Sequence, residues 1–350
     1  MVEVVRTIDG LSAIEADWRE LEKDPSMCVF QTYDWCRSAW ETYLSACGGS
    51  LYVICWRRNG DCVILPSYID SKGILRFIAD DDSDTCDAVC RAGRNHHVAY
   101  REIAKCIEGE RGIKGVWLQK LRLESEAVNY LGVLLPGAVV SKDNAFSWVR
   151  MVQGGDFVAA QTHMPSKDRA DLKGLVRQAV KCPLKVFSKA AGDEFPEDAV
   201  VSLRNAMRSS GRRPADYLGS SMLDFMRRIY SLGLCDVAVL SADGAVVAAN
   251  ILLKKDGRVL SWVFLYTDPK ASTLLYANCL AGPQAVEGDI FDFGVGVYGY
   301  KIGTFRPELS ITLSLRYARG VARKVRTVLA ADVRFLKDIV KSLRRKGGSQ

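Results

Sequence analysis

Histidine is what this 350-residue chain has least of: three residues, His96, His97 and His163. Cysteine is more plentiful, at eleven, but the number is odd and no CxxC pair occurs; Cys86 and Cys90 are four apart. No grouping has zinc-finger or redox spacing, so no metal is expected, and the thiols are expected to be reduced and mostly buried. Long apolar runs are also missing. No window approaches the ~18 uncharged apolar residues of a membrane span. The opening MVEVVRTID lacks an apolar run of ~7–15 residues behind a basic start, so no signal peptide is expected and a cytoplasmic protein is.

What is present is ordinary for a globular chain: 48% hydrophobic and 25% charged residues. The length suits two domains at ~100–200 residues each, or one large one. Net charge is +7, but the segment Arg316–Lys346 alone carries eleven Lys/Arg against two Asp. Basicity is therefore a feature of the tail rather than of the body.

Leu11, Ile14, Trp18 and Leu21 recur at helical spacing. Thr32 is placed to cap a helix that turns Trp35, Ala39 and Tyr43 inward. Strands are expected at 51–57, 62–69 and 74–79, with Asn59-Gly60 as a hairpin turn, then a polar loop at 80–87. A helix near 98–109 and strands at 115–120 and 131–135 complete a first mixed unit. SKDNAFSWVRM (141–151) reads as a link. A basic helix follows at 166–181, a strand at 184–188, and helices at 197–209 and 220–231. Asp243-Gly244 and Asp256-Gly257 divide 235–268 into a three-strand antiparallel meander. A helix near 272–287 and a strand at 289–294 close the series. The division expected is 1–145, 146–310 and a tail, 311–350, in which Val325, Val328, Leu329, Val333, Leu336, Val340 and Leu343 keep helical spacing among basic residues.

The block from 244 to 305 is the most informative. The meander ends at Tyr266-Thr267-Asp268-Pro269, and Lys270, Ala271, Ser272 and Thr273 lead into a helix. The free N–H groups of a helix start attract anions, and the Ser272 and Thr273 hydroxyls add donors; simple helix capping is the alternative. The next strand runs into FDFGVGVYGYKIGTF.

These segments resemble the CelD-like branch of GNAT acyltransferases, which is encoded with cellulose and exopolysaccharide machinery and related to the FemABX transferases. The matches are Gly244 with Val247-Ala248, Tyr266 with Asp268-Pro269, and Asp292, Gly294, Gly296, Tyr300 and Lys301. FQTYDWCRSAW (30–40), ILPSYI (64–69), LRFIA with DSDTCD, and the basic helix resemble the branch as well. Val297 stands where the branch has an acid, Thr267 interrupts the Y-D-P pattern, and a glycine is missing near Leu274.

The resemblance implies an α/β fold of tandem GNAT-like mixed sheets flanked by helices. It implies an N- or O-acyltransferase that uses acetyl-CoA or another acyl-CoA on an amino sugar or polysaccharide precursor. Tyr266, Lys270, Ser272 and Thr273 would hold the coenzyme. Asp268 is the candidate base, Tyr300 the donor to the leaving thiolate, and Asp292 with Lys301 a candidate ion pair, catalytic or structural. Trp35, Trp40, Asp84 and Asp87 would shape the acceptor pocket. Lys173 and Arg177, with Lys181 on the same helix face, would meet a phosphate. Nucleic acid is not an expected partner; a FemX-like transferase using aminoacyl-tRNA is the alternative, along with a non-catalytic binding protein. The tail would dock on an anionic membrane surface or pack on the body.

Overall fold

The computed structural model describes residues 1–151, 156–282 and 286–319. It is a mixed α/β structure whose elements fall into two compact units. Among the described residues, one takes Met1–Met27 and Leu44–Asp143 with 311–319; the other takes Cys28–Tyr43 and the described part of 144–310. The helix Tyr33–Ala39 therefore belongs to the second unit. The amphipathic stretch expected at 325–343 lies outside the described residues.

In the first unit Val2–Val5, Val53–Arg58, Asp61–Leu65 and Val89–Cys90 form an antiparallel sheet in that order. Its hairpin turns on Asn59 and Gly60, whose φ values of 53° and 74° are those of a tight primed turn. Ser50–Leu51, Ser67–Ile69, Ile74–Phe77, Gly115–Arg122 and the 312–318 end of Glu308–Ala318 pair successively in a second set. The helices His97–Gly109 and Glu126–Leu134 pack together and bury Tyr100, Ile103, Ile107 and Leu131 against Phe77 and Leu118.

Three expectations are corrected here. The strand expected at 131–135 is the end of the helix Glu126–Leu134. Short apolar runs fit either structure, and the cap decides: Ser125 accepts from Val128 N–H at 3.4 Å, and Ala127, Val128 and Leu131 are buried. All but the last residue of the link at 141–151 belongs to the twelve-residue strand Val139–Arg150, whose start is disguised by the polar Lys142, Asp143 and Asn144. Residues 311–318, read as the start of the tail, finish the strand Glu308–Ala318, in which Leu313, Leu315 and Tyr317 alternate toward the core.

The second unit's sheet runs Leu184–Phe187, Cys235–Ala242, Ala245–Lys255, Arg258–Tyr266, Ile290–Val295 and then the 146–150 part of Val139–Arg150. The first four are antiparallel, as the Asp-Gly turns require, with φ of 50° and 78° at Asp243 and Gly244. The helices Glu197–Ser209 and Ser220–Ser231 form where expected. Helices Ser166–Ala179 and Pro269–Ala281 pack together. Asn278 Nδ2 donates to the carbonyls of Ala179 and Cys182, each at 2.9 Å, and so satisfies acceptors at a helix end.

Ser125, the cap of the corrected helix, also donates its hydroxyl to Asp87 at 2.7 Å. Burial raises the Asp87 carboxyl to about 6. A carboxyl with a raised folded pKa stabilises the fold while protonated, and that contribution is lost as pH rises through 6. Asp87→Asn is expected to remove this slope. Between pH 4 and 7 the variant should gain on the parent by on the order of 2–3 kcal/mol, measured as urea stability against pH.

Candidate functional site

The site begins where two parallel strands part. Arg258–Tyr266 and Ile290–Val295 pair only through Arg258↔Ile290, Val259↔Phe291 and Leu260↔Asp292. Just beyond, both become irregular. Ile251 faces Val263 and Leu252 faces Ser261, so Trp262 is an extra residue, a bulge that bends its strand. On the other strand Gly294 adopts φ of 75°, open chiefly to glycine, and the pairing with 146–150 slips between Asp292 and Val295. Asp292, 2% exposed, pins the fork. It pairs with Arg258 at 3.0 Å and accepts from Gly294 N–H at 2.9 Å.

The parting leaves a backbone edge facing the gap. Thr267 N–H donates to Val247 at 2.9 Å, and peptides alternate between strand edges. The N–H groups of Phe264 and Tyr266 therefore point away from Ala245–Lys255, toward the gap. Donors fixed in this way can stabilise a developing oxyanion.

A polar chain enters the sheet beside this edge. Tyr300 shares a hydrogen bond with Tyr276, the Tyr276 hydroxyl is 3.0 Å from Ser261 Oγ, and Ser261 donates to Asn250 Oδ1 at 3.1 Å. Asn250, Ser261 and Tyr276 are buried, whereas Tyr300 is exposed. Although part of the side chain is open to solvent, the neighbouring rings strip water from the Tyr300 phenol and push it up to about 12, with the Tyr266 and Tyr298 phenols adding to the rise, so it holds its proton at neutral pH. The sequence reading found Tyr300 and missed the other three. Their signal was a polar residue inside each of the apolar runs VAANILL and VLSWVF, and a tyrosine about two turns into the helix that follows.

The helix Pro269–Ala281 is capped differently from expectation. Asp268 accepts from the N–H of Lys270 at 2.8 Å and of Ala271 at 3.1 Å, and Pro269 has none to offer. Ser272 and Thr273 donate back to the Pro269 carbonyl at 2.7 and 3.3 Å. The anion cradle read from Ser272 and Thr273 is thus closed on itself by an Asp-Pro start, a favoured N-cap residue followed by a favoured first helical residue. Lys270 is exposed beside it. Arg212, overlooked in the sequence, donates to the Thr267 carbonyl and lies 5.7 Å over the Tyr266 ring.

Other candidates fall in different surroundings. Lys301 is buried and donates to the Phe293 carbonyl at 2.5 Å, holding the strand end. Val297 is exposed and brings no titratable group. Trp35 is fully buried, edge-on to Phe30, Phe225 and Trp262 at 4.9, 4.9 and 5.2 Å, and Trp40 is also buried. Both are core residues of the second unit rather than walls of an acceptor pocket. Lys173, Arg177 and Lys181 are exposed along Ser166–Ala179 and just after it. Asp84 and Asp87 lie in the first unit, where Asp87 is buried.

The fold that this fork defines is of the GNAT acyltransferase type. Residues 166–302 match the model of the acetyltransferase (GNAT) domain. Among solved structures, the chain is similar to the C-terminal (DUF2156) domain of a protein described as a lysylphosphatidylglycerol synthetase from Agrobacterium fabrum. Identity is 12% over 90% of this chain and 95% of that one, with a TM-score of 0.54. It is similar to FemX at 11% identity over 90% and 97%, TM-score 0.52. A tandem GNAT protein from the clavulanic acid biosynthesis pathway gives 12% identity over 92% and 100%, TM-score 0.50. At such identities the likeness is one of fold. No curated protein matches the chain by sequence.

The buried chain can be tested directly. Ser261→Ala leaves Tyr276 and Asn250 each short of a partner and is expected to cost about 1–3 kcal/mol in urea unfolding, whereas Ser241→Ala, in a half-buried position two strands away in the same sheet, should cost less.

Proposed function

We propose that the second unit is an acyltransferase that takes an acyl group, acetyl being the simplest, from acyl-CoA and passes it to an amine or hydroxyl. An amino sugar or polysaccharide precursor in exopolysaccharide or envelope biosynthesis is the acceptor, as the resemblance to the CelD-like branch implies. The observation that carries this reading is the fork: a parallel pair that parts after three residue pairs and leaves Phe264 and Tyr266 N–H groups facing the gap. A thioester carbonyl lying along that edge would meet donors placed for its oxyanion. The protonated Tyr300 would give its proton to the departing thiolate as the acceptor's lone pair forms the new bond to the acyl carbon. Asp268 would take the acceptor's proton through water on Oδ2, the oxygen not holding the two cap N–H groups. Lys270 and Arg212 supply positive charge for the coenzyme's phosphates.

No described helix is long and apolar enough to cross a membrane. In this reading the protein works in the cytoplasm, and its basic segment Arg316–Lys346 meets the anionic inner-membrane surface.

Calorimetry with coenzyme A tests the donor site, and an absence of binding would falsify it. Asp268→Ala separates two roles. If phosphate and carboxylate compete for the same N–H groups, the variant should bind coenzyme A about tenfold more tightly, equivalent to ~1.4 kcal/mol. Its turnover should nonetheless fall by about 10²-fold if Asp268 is the base. Tyr300→Phe should lower kcat by a similar factor with little change in coenzyme affinity.

A second reading, transfer from aminoacyl-tRNA, is favoured by the self-capped helix start and by the exposed Lys173, Arg177 and Lys181. It predicts tRNA binding that weakens steeply with salt, and that Lys173→Ala with Arg177→Ala reduces the slope by about two. A flat salt response in filter-binding assays would remove this reading.

A further inference from the structure

A cluster of side chains of the types that ligate metals, in the first unit, is used by none of this chemistry. Cys90 ends the strand Val89–Cys90, His96 precedes the helix His97–Gly109 as its N-cap residue, and Glu126 opens the helix Glu126–Leu134. Three separate elements each deliver one ligand-type atom, and these sulfur, nitrogen and oxygen atoms lie within 4.8 Å of one another. His96 is 1% exposed. Its Nδ1 is 2.7 Å from Glu126 Oε2, and its Nε2 is 3.5 Å from Asp61 Oδ2 without a hydrogen-bond partner among the described residues.

The chemistry of that ring is unusual. A neutral imidazole has one N–H and one lone pair, and a carboxylate only accepts. Between two carboxylates, a neutral His96 therefore sets one nitrogen lone pair against an oxygen. A metal ion on that lone pair relieves this. The adjacent thiol favours the ion. Cys90 Sγ lies within 4.8 Å of the His96 and Glu126 ligand atoms, and the Glu126 and Asp61 carboxylates flank the ring, a setting that a positive charge would balance. A divalent ion supplies that charge and displaces the thiol proton. Thiolate, imidazole and carboxylate together suit Zn²⁺ better than a hard cation such as Mg²⁺ or Ca²⁺. Metal-ligating histidines commonly hold a carboxylate on the second nitrogen, and Asp61 stands in that position.

We propose that Cys90, His96 and Glu126 bind one Zn²⁺ ion, with Asp61 as the outer carboxylate that orients the His96 ring. The ion ties a strand end to two helix starts, so it stabilises the first unit and takes no part in acyl transfer.

The test uses the full chain, stripped with a chelator and titrated with Co²⁺. Wild type should take up one Co²⁺ with a thiolate-to-cobalt charge-transfer band that Zn²⁺ abolishes. Cys90→Ser should lose the band, and Cys106→Ser, near the far end of the helix that His96 caps and not among the ligand atoms, should keep it. Asp61→Asn should keep the band and weaken binding about 10–100-fold. With only three histidines, side-chain ¹⁵N shifts give a readout that needs no variant: one His96 nitrogen should move to a metal-bound value as Zn²⁺ is added to wild type. A band that survives in Cys90→Ser, folded wild type with no band, or a His96 ring that keeps two N–H protons at saturating Zn²⁺ overturns the proposal.

Discussion

Asp292 is a charge placed where charge is costly, in an apolar strand between Phe291 and Phe293, and the geometry of the second unit follows from how that charge is satisfied. One oxygen takes Arg258 from the neighbouring strand; the other takes the Gly294 N–H of its own strand. The first bond holds the two strands together at one end. The second holds Gly294 in a left-handed conformation that ends the regular ladder. With the Trp262 bulge on the opposite strand, pairing cannot continue, and the edge that would have been used up in a ladder is left facing a gap. An uncompensated buried carboxylate would be strongly unfavourable, so the fork is as secure as the ion pair that closes it.

Around the fork, polar groups are arranged in two different ways. The chain from Tyr300 through Tyr276 and Ser261 to Asn250 runs from an exposed phenol into the sheet interior, and each buried member is held by the next. The helix start is the opposite case: Asp268 uses its own carboxylate to occupy the N–H groups that an incoming anion would need. Stability of the helix and affinity for a phosphate are therefore in competition at one position, and a ligand that binds there must displace a bond already made.

Much of this fold was legible in the sequence, for identifiable reasons. The Asp-Gly turns specify the meander because both residues need positive φ, and only such pairs adopt it at low cost. The helices Glu197–Ser209 and Ser220–Ser231 are amphipathic and flanked by breakers. The helix Glu126–Leu134 was misread because its apolar run is short, and its cap lies outside the run. The strand Val139–Arg150 was misread because its first half is polar. The fork was only half legible: glycines at 294 and 296 announce an irregular strand, but a bulge at Trp262 depends on pairing between strands and leaves no local mark. The roles of Ser272 and Thr273 depended on which way two hydroxyls turn, and spacing does not fix that. The same limit hid the Cys90, His96 and Glu126 cluster, whose members come from three elements and share no motif.

The helix Tyr33–Ala39 carries a different lesson. Its Trp35 fills the second unit's core among Phe30, Phe225 and Trp262, while the chain on either side of 28–43 belongs to the first unit. Spatial units and chain segments are therefore out of step. A fragment begun after residue 143 would carry the whole fork and yet lack the tryptophan that plugs its core. The early segment is better regarded as a part lent by one half of the gene to the other, so a cut between the halves in sequence is not a cut between the units in space.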